Sequence, residues 1–210
     1  MDSVKEVLPT EIVTARLRLA TPSLSHVAEM ADLANNASIA NLLERLPHPY
    51  SEADGRHFVG SIARGPEEHA WSMLKGGHFI GVVGLHFLPG HDVGLGYWLG
   101  EPFWGQGYAT EAALAVVDAA RTAGAQRLYA RALLDNTESR HVLAKVGFRE
   151  IGQEQVCPLC GLDQEAEQRR RSGNKALPIM YRLAGKYDLG RMLGAGGFGI
   201  TYLAKDITNG

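Results

Sequence analysis

A glycine-bearing turn joins a run of short β-type segments to a long amphipathic helix, and this junction constrains the fold more than any other feature of the chain. The turn reads Pro102-Phe103-Trp104-Gly105-Gln106-Gly107. Ahead of it, residues 70–74 and 79–87 flank Lys75-Gly76-Gly77-His78, a hairpin sequence in which glycine supplies the positive φ angles that a tight turn needs. Residues 93–99 (VGLGYWL) follow Pro89-Gly90 as a third strand. Behind the turn, residues 109–123 place Ala113, Val116, Val117 and Ala120 on one helical stripe, and Gly124 stands where a C-terminal cap glycine belongs. An antiparallel meander running directly into a helix is an α/β arrangement, and the strand-to-helix loop is where its chemistry is expected. Glycines there let a ligand approach the backbone, while the helix turns its free N–H groups and positive dipole end toward it, which suits a pyrophosphate. Two glycines also make a tight turn for purely structural reasons, so the loop alone leaves both readings open.

The flanks follow the same β and α alternation. Residues 16–20 (RLRLA) read as a first strand, and Ser23 or Ser25 can cap a helix with Val27, Met30, Ala31 and Ala34 on one face. Ser51 and Asp54 have capping-box spacing ahead of a short helix expected to hold Phe58 and Ile62. Residues 127–132 form a strand, Asp135 or Asn136 caps a helix that turns Val142, Leu143 and Val146 inward, and Gly147 ends it before a strand at 148–151. Residues 156–175 turn polar, with 164–172 dense in charge, and read as an insertion before a last strand at 177–183 (LPIMYRL). From Lys186 the chain becomes glycine-rich, which places a boundary near Gly185.

Lys and Arg number 21 against 23 Asp and Glu, for a net charge of -2, so no large field favours nucleic acid as a partner. The N-terminal MDSVKEVLPTEIV lacks the apolar core of a signal peptide, and no window has the long charge-free run of a membrane span. A cytoplasmic location without membrane attachment is expected. The two cysteines, Cys157 and Cys160, make a C-x-x-C knuckle, but a closed structural zinc site needs four ligands and no second pair follows. No metal is expected.

The stretch GYWLGEPFWGQGYATEA, followed by DNTESRHVLAKVGF, resembles the GNAT N-acetyltransferases, and within them the RimJ and RimL branch. ARLRL, LERLPHPYSEAD and MYRL extend the resemblance over residues 12–184. It implies an α/β (α+β) GNAT fold, with a mixed, largely antiparallel central sheet of about seven strands flanked by helices, in a domain spanning residues 1–185. It also implies direct transfer of acetyl from acetyl-CoA to a primary amine, on a protein N-terminus or a small molecule, by a monomer or homodimer. In that family Trp104, Gly105, Gln106, Gly107, Tyr108, Ala109 and Thr110 would line the coenzyme phosphates, with Trp104 where Arg or Gln is usual. The backbone of Tyr97, Trp98 and Leu99 would face pantetheine and the acetyl carbonyl. Asn136 would contact the coenzyme arm and Ser139 would protonate the departing thiolate as general acid, although both residue types also suit a helix cap and first turn.

Amide formation also needs a base. Many relatives place a Glu just before the Gly-Tyr of the strand, and the aligned position here is Gly94. Asp92, which shares strand parity with Gly94, and His91 beside it are the candidates to replace it, and both equally suit a solvated hairpin end. His48 and His141 read as bystanders.

Residues 193–205 (LGAGGFGITYLAK) resemble the glycine-rich loop and second strand of a serine/threonine protein kinase. The sequence stops before the lysine and aspartates that phosphoryl transfer requires, so residues 186–210 are expected to be a truncated kinase-like fragment without that activity. Residues 200–204, rich in β-formers, are alternatively suited to adding to an exposed sheet edge. The missing Glu at Gly94 leaves a second functional class open, a non-catalytic acetyl-CoA-binding sensor module fused to a kinase.

Overall fold

The first five strands of this chain each pair antiparallel with the one before, and that part of the sheet grows in sequence order. The computed structural model describes residues 2–43, 46–88, 92–154 and 200–206. These belong to two compact units, Met1–Tyr129 with Lys205–Gly210, and Ala130–Ala204.

In the first unit, α1 (Asp2–Val7) precedes β1 (Glu11–Val13) and β2 (Arg18–Ala20). Ser23 then accepts a hydrogen bond from the Ser25 amide and caps a 3-10 turn that leads into α2 (Val27–Ala34). Val27, Met30, Ala31 and Ala34 are the residues α2 buries, the face its spacing predicts. After α3 (Ala37–Ala40), the Ser51 and Asp54 side chains and backbones satisfy one another as a capping box at the start of α4 (Glu52–His57). The helix continues as a π-helical turn, Phe58–Ile62. Phe58 and Ile62 lie in this helical segment as expected, and its wider turn changes the phase, so Ile62 is 41% exposed and Ala63, at 1%, takes the inward position.

β3 (Glu68–Lys75), β4 (His78–His86) and β5 (Val93–Leu99) complete an antiparallel series in which β1 to β5 pair in order. Gly76 and Gly77, at φ 57° and 90°, close the β3–β4 hairpin as its sequence predicts. α5 (Tyr108–Thr122) buries Ala112, Ala113, Val116, Val117 and Ala120, and Gly124 ends it with φ 92°. The small alanines on that stripe let the helix sit close to its neighbours. Trp71, Phe79, Leu19, Met30 and Met73 are the largest wholly buried side chains, and each contributes about 1.5–3 kcal/mol by leaving water. β6 (Arg127–Leu133) begins in this unit and ends in the second.

In the second unit, α6 (Thr137–Val146) starts at Asn136, ends at Gly147 in the left-handed region, and buries Leu143 and Val146. Phe148, 4% exposed, follows, and β7 (Arg149–Glu154) pairs antiparallel with β8 (Ile200–Asp206) from Arg149↔Ala204 to Glu154↔Ile200. Residues 200–206, rich in β-formers, thus form a strand against β7. Among the described residues there are eight strands, close to the expected seven; β1 adds to the expected set, and β8 answers the reading that residues 200–204 join a sheet edge. The expected strand at 177–183, the charged insertion at 164–172, and Cys157 and Cys160 lie outside the described residues. Among the described residues no helix is long and apolar enough to cross a membrane.

Candidate active site

The loop between β5 and α5 is held open by its own side chains. The Trp104 indole Nε1 donates to the Leu99 carbonyl at 2.7 Å, and Gln106 Nε2 donates to the Pro102 carbonyl at 2.9 Å. Gly105 and Gly107 lie at φ 70° and 81°, where other residues are strained. A Cβ at Gly105 would meet nothing within 4 Å, so the open side of the loop is empty space rather than packed protein. Gly107 is the N-cap of α5 and offers no side-chain oxygen to the first turn. The 15-residue helix therefore presents the backbone N–H groups of Tyr108, Ala109 and Thr110, with its positive end, toward this opening.

The β1–β2 connection clamps the same helix end. Glu111 accepts from Thr14 Oγ1 at 2.6 Å, from the Arg16 amide at 2.8 Å and from Arg16 Nε at 2.7 Å. The Arg16 guanidinium also donates to the Gln106 carbonyl at 2.9 Å and lies 4.5 Å from the Tyr108 ring centre. Lys75 Nζ approaches the same ring at 5.0 Å. Burial pushes the Glu111 carboxyl up, but the hydrogen bonds from Thr14 and Arg16 and the Arg16 charge outweigh it and hold the group below its ordinary range. The positive end of the α5 dipole thus faces the opening, with Lys75 and the Glu111-paired Arg16 on the Tyr108 ring beside it, an arrangement suited to an anionic ligand. Sequence reasoning did not find Arg16 and Glu111 as partners. They are 95 positions apart, and the only local signal is an acidic residue in the first helical turn.

Along β5, Tyr97, Trp98 and Leu99 pair with Val83, Val82 and Gly81, and Trp98 packs on Phe79 with ring centres 5.7 Å apart. At the other end of the strand, Gly94 pairs with His86, which itself pairs with Glu68 on β3. His86 Nδ1 lies 2.6 Å from Glu68 Oε2. The Tyr129 ring stands over Gly94, where a Cβ would lie 2.9 Å from its Cζ. Asp92 is exposed and stands 3.8 Å from the Arg127 guanidinium, while His91 is outside the described residues. The His86–Glu68 pair escaped sequence reasoning too; counting the hairpin register backward from Gly94 is the signal that finds it.

In the second unit, Asn136 Oδ1 accepts from the Ser139 amide at 3.0 Å, so Asn136 caps α6 and Ser139 sits half-buried in its first turn. Arg140 braces the segment by donating to the Leu134 carbonyl at 3.2 Å and to Glu150 at 3.0 Å. Among the described residues no group of three or more His, Cys, Asp or Glu could hold a metal ion.

Comparison with known proteins places this geometry. Residues 16–149 match the family described as Acetyltransferase (GNAT) domain. The uncharacterized N-acetyltransferase YycN of Bacillus subtilis (strain 168) is 31% identical over 101 residues, 44% of this chain and 65% of that protein, so the match spans just under two thirds of the relative's length. Among solved structures, the acetyltransferase (GNAT family) from Bacillus anthracis superposes with a TM-score of 0.69 at 17% identity, covering 94% of this chain and 98% of that one. RimL, a ribosomal L7/L12 alpha-N-protein acetyltransferase in complex with coenzyme A, superposes with a TM-score of 0.66 at 18% identity over 95% of this chain and 97% of that one. The fold is the mixed α/β GNAT fold.

Proposed function

The chain belongs to the GNAT acetyltransferase family, and on that premise we propose that it is an acetyl-CoA-dependent N-acetyltransferase moving acetyl directly to a primary amine. The observation that carries this reading is the uncapped N-terminus of α5 behind Gly105 and Gly107, with Arg16 and Lys75 beside it. Empty space at Gly105 and unused first-turn amides fit a pyrophosphate. Trp104, Gly105, Gln106, Gly107, Tyr108, Ala109 and Thr110 would hold it. The backbone of Tyr97, Trp98 and Leu99 and the side chain of Asn136 would hold the rest of the coenzyme. Acetyl-CoA supplies an acetyl group activated as a thioester, and Ser139 would protonate the departing sulfur. RimL acts on a ribosomal-protein N-terminus, which supports a protein N-terminal amine as acceptor, with a small amine as the other candidate. A RimJ/RimL-like cytoplasmic enzyme, a monomer or homodimer with neither nucleic acid nor membrane as partner, completes the proposal.

A second reading is favoured by Gly94, where the family's usual carboxylate is missing: an acetyl-CoA-binding sensor module joined to the kinase-like segment that follows a boundary near residue 185. Calorimetric titration of acetyl-CoA into the full chain and into Gly107→Glu, alongside thiol release with peptides and small amines, separates the two. The substitution puts a side chain at φ 81° and a carboxylate in the anion site, and should weaken binding at least about tenfold. Binding with amine-dependent thiol release supports the transferase, binding without turnover supports the sensor, and no binding refutes both.

A further inference from the structure

We propose that His86 is the general base of the transfer and that Glu68 is its positioning residue; this rests on the acetyltransferase reading above. The reaction needs a proton acceptor on the face of β5 that carries position 94, and Gly94 has no side chain to offer. The strand register supplies one from the neighbouring strand. Glu68, His86 and Gly94 are successive cross-strand partners on β3, β4 and β5, so the three positions form one row on one face of the sheet. From that row the His86 ring leans over β5, and a Cβ built on Gly96 would lie 2.5 Å from its Nε2. A Cβ on Gly94 would lie 3.0 Å from the Tyr129 hydroxyl. Glycine at 94 and 96 therefore does more than omit a carboxylate, because it clears the surface that the imidazole and the phenol now occupy.

The chemistry of the pair sets the tautomer. An ionised carboxylate only accepts, so the 2.6 Å contact puts a proton on His86 Nδ1, and in the neutral imidazole the lone pair is then on Nε2, the atom directed toward Gly96. Glu68 is shielded, with 12% of its side chain exposed, while His86 retains 31%, enough for a substrate or water to reach it. His86 Nε2 takes one proton from the acceptor ammonium, directly or through water, leaving a nitrogen lone pair that forms the C–N bond at the thioester carbonyl carbon. The C–S bond breaks with its electron pair on sulfur, the nitrogen's second proton ends on that sulfur, and the amide and the coenzyme thiol result. His86 then releases its proton to solvent, so one proton leaves per turnover.

The test uses the full chain and four variants, His86→Gln, Glu68→Ala, Glu68→Gln and Asp92→Asn. Three quantities are read: acetyl-CoA affinity by calorimetry, thiol release with hexapeptides beginning in Ser, Ala or Met and with small primary amines, and imidazole tautomers by nitrogen-15 NMR. His86→Gln should lower kcat about a hundredfold or more while acetyl-CoA affinity stays within about twofold. Glu68→Ala should lower kcat about tenfold and mix the His86 tautomers, and Glu68→Gln, whose amide oxygen still accepts from Nδ1, should recover part of both. A His86→Gln enzyme within threefold of the parent kcat, an Nε2-protonated His86 in the parent, or a large loss in Asp92→Asn alone overturns the assignment. Failure of the parent to bind acetyl-CoA overturns the acetyltransferase reading itself, whereas binding without thiol release from any acceptor removes the base along with the reaction.

Discussion

Lowering the pH from 7 to 5 should cost this protein about 1.5–2 kcal/mol at one residue, His69. The ring is 6% exposed, lies 4.5 Å from the Trp71 ring, and accepts from the Arg64 guanidinium. Burial, followed by the positive charges of Arg64 and Lys5, lowers its pKa from 6.5 to about 4. Between those two values the unfolded chain binds a proton at this site and the folded chain does not. Stability therefore rises with pH through that window; the full contribution is present above 6.5 and is lost progressively as pH falls toward 4. At pH 5 the unfolded histidine is almost fully protonated and the folded one is mostly neutral, which gives the figure above and a fall in Tm of about 3–8 °C for a chain of this size. The assay is urea unfolding followed by tryptophan fluorescence at both pH values, in the parent and in His69→Gln. The parent should lose more stability than the variant by about 1.5–2 kcal/mol. Equal losses in the two proteins, or a His69 NMR titration midpoint near 6.5, would refute the account.

Three further outcomes follow from the packing. Glu111→Ala removes the acceptor shared by Thr14 and Arg16 and should lower urea stability by about 1 kcal/mol, a modest figure because Arg16 is 47% exposed and solvent screens the pair. It should also weaken acetyl-CoA binding in calorimetry by releasing Arg16 from the loop. Asn136→Ala, which removes the cap on α6, should cost about 1 kcal/mol in thermal unfolding, with Asn136→Ser recovering most of it. Ile62→Ser should change stability by less than about 0.5 kcal/mol, whereas Ala63→Glu, at a position 1% exposed, should prevent soluble expression; the reverse order would contradict the π-helical phase.

How much of this was legible beforehand depended on whether the signal was local. The α2 face, the Ser51–Asp54 capping box, the Gly76–Gly77 turn, the limits of β5 and the caps Gly124 and Gly147 all arise from residues within a few positions of one another. That Ala63 rather than Ile62 turns inward was not legible, because a π-helical turn departs from the ordinary helical period. β1 was missed because a three-residue strand carries too little alternation to read, and β8 was legible as an edge-seeking strand but not its partner β7, because a partner 46 or more positions away leaves no trace in the local pattern.

The chain's residue order by itself determined the strand-to-helix junction, since glycines that tolerate positive φ ahead of an amphipathic helix dictate a tight turn with free first-turn amides. It also determined that position 94 has no carboxylate. What only the tertiary structure decided is which side chains gather around those features. Arg16 reaches Glu111 and the Gln106 carbonyl because β2 lies in the sheet that α5 packs against. His86 reaches the surface cleared by Gly94 and Gly96 because the β4–β5 register sets it there, held by Glu68 from the strand beyond. Cross-strand neighbours are fixed by pairing and not by sequence distance, and so Glu68, His86 and Gly94 come into one row only when three strands lie side by side.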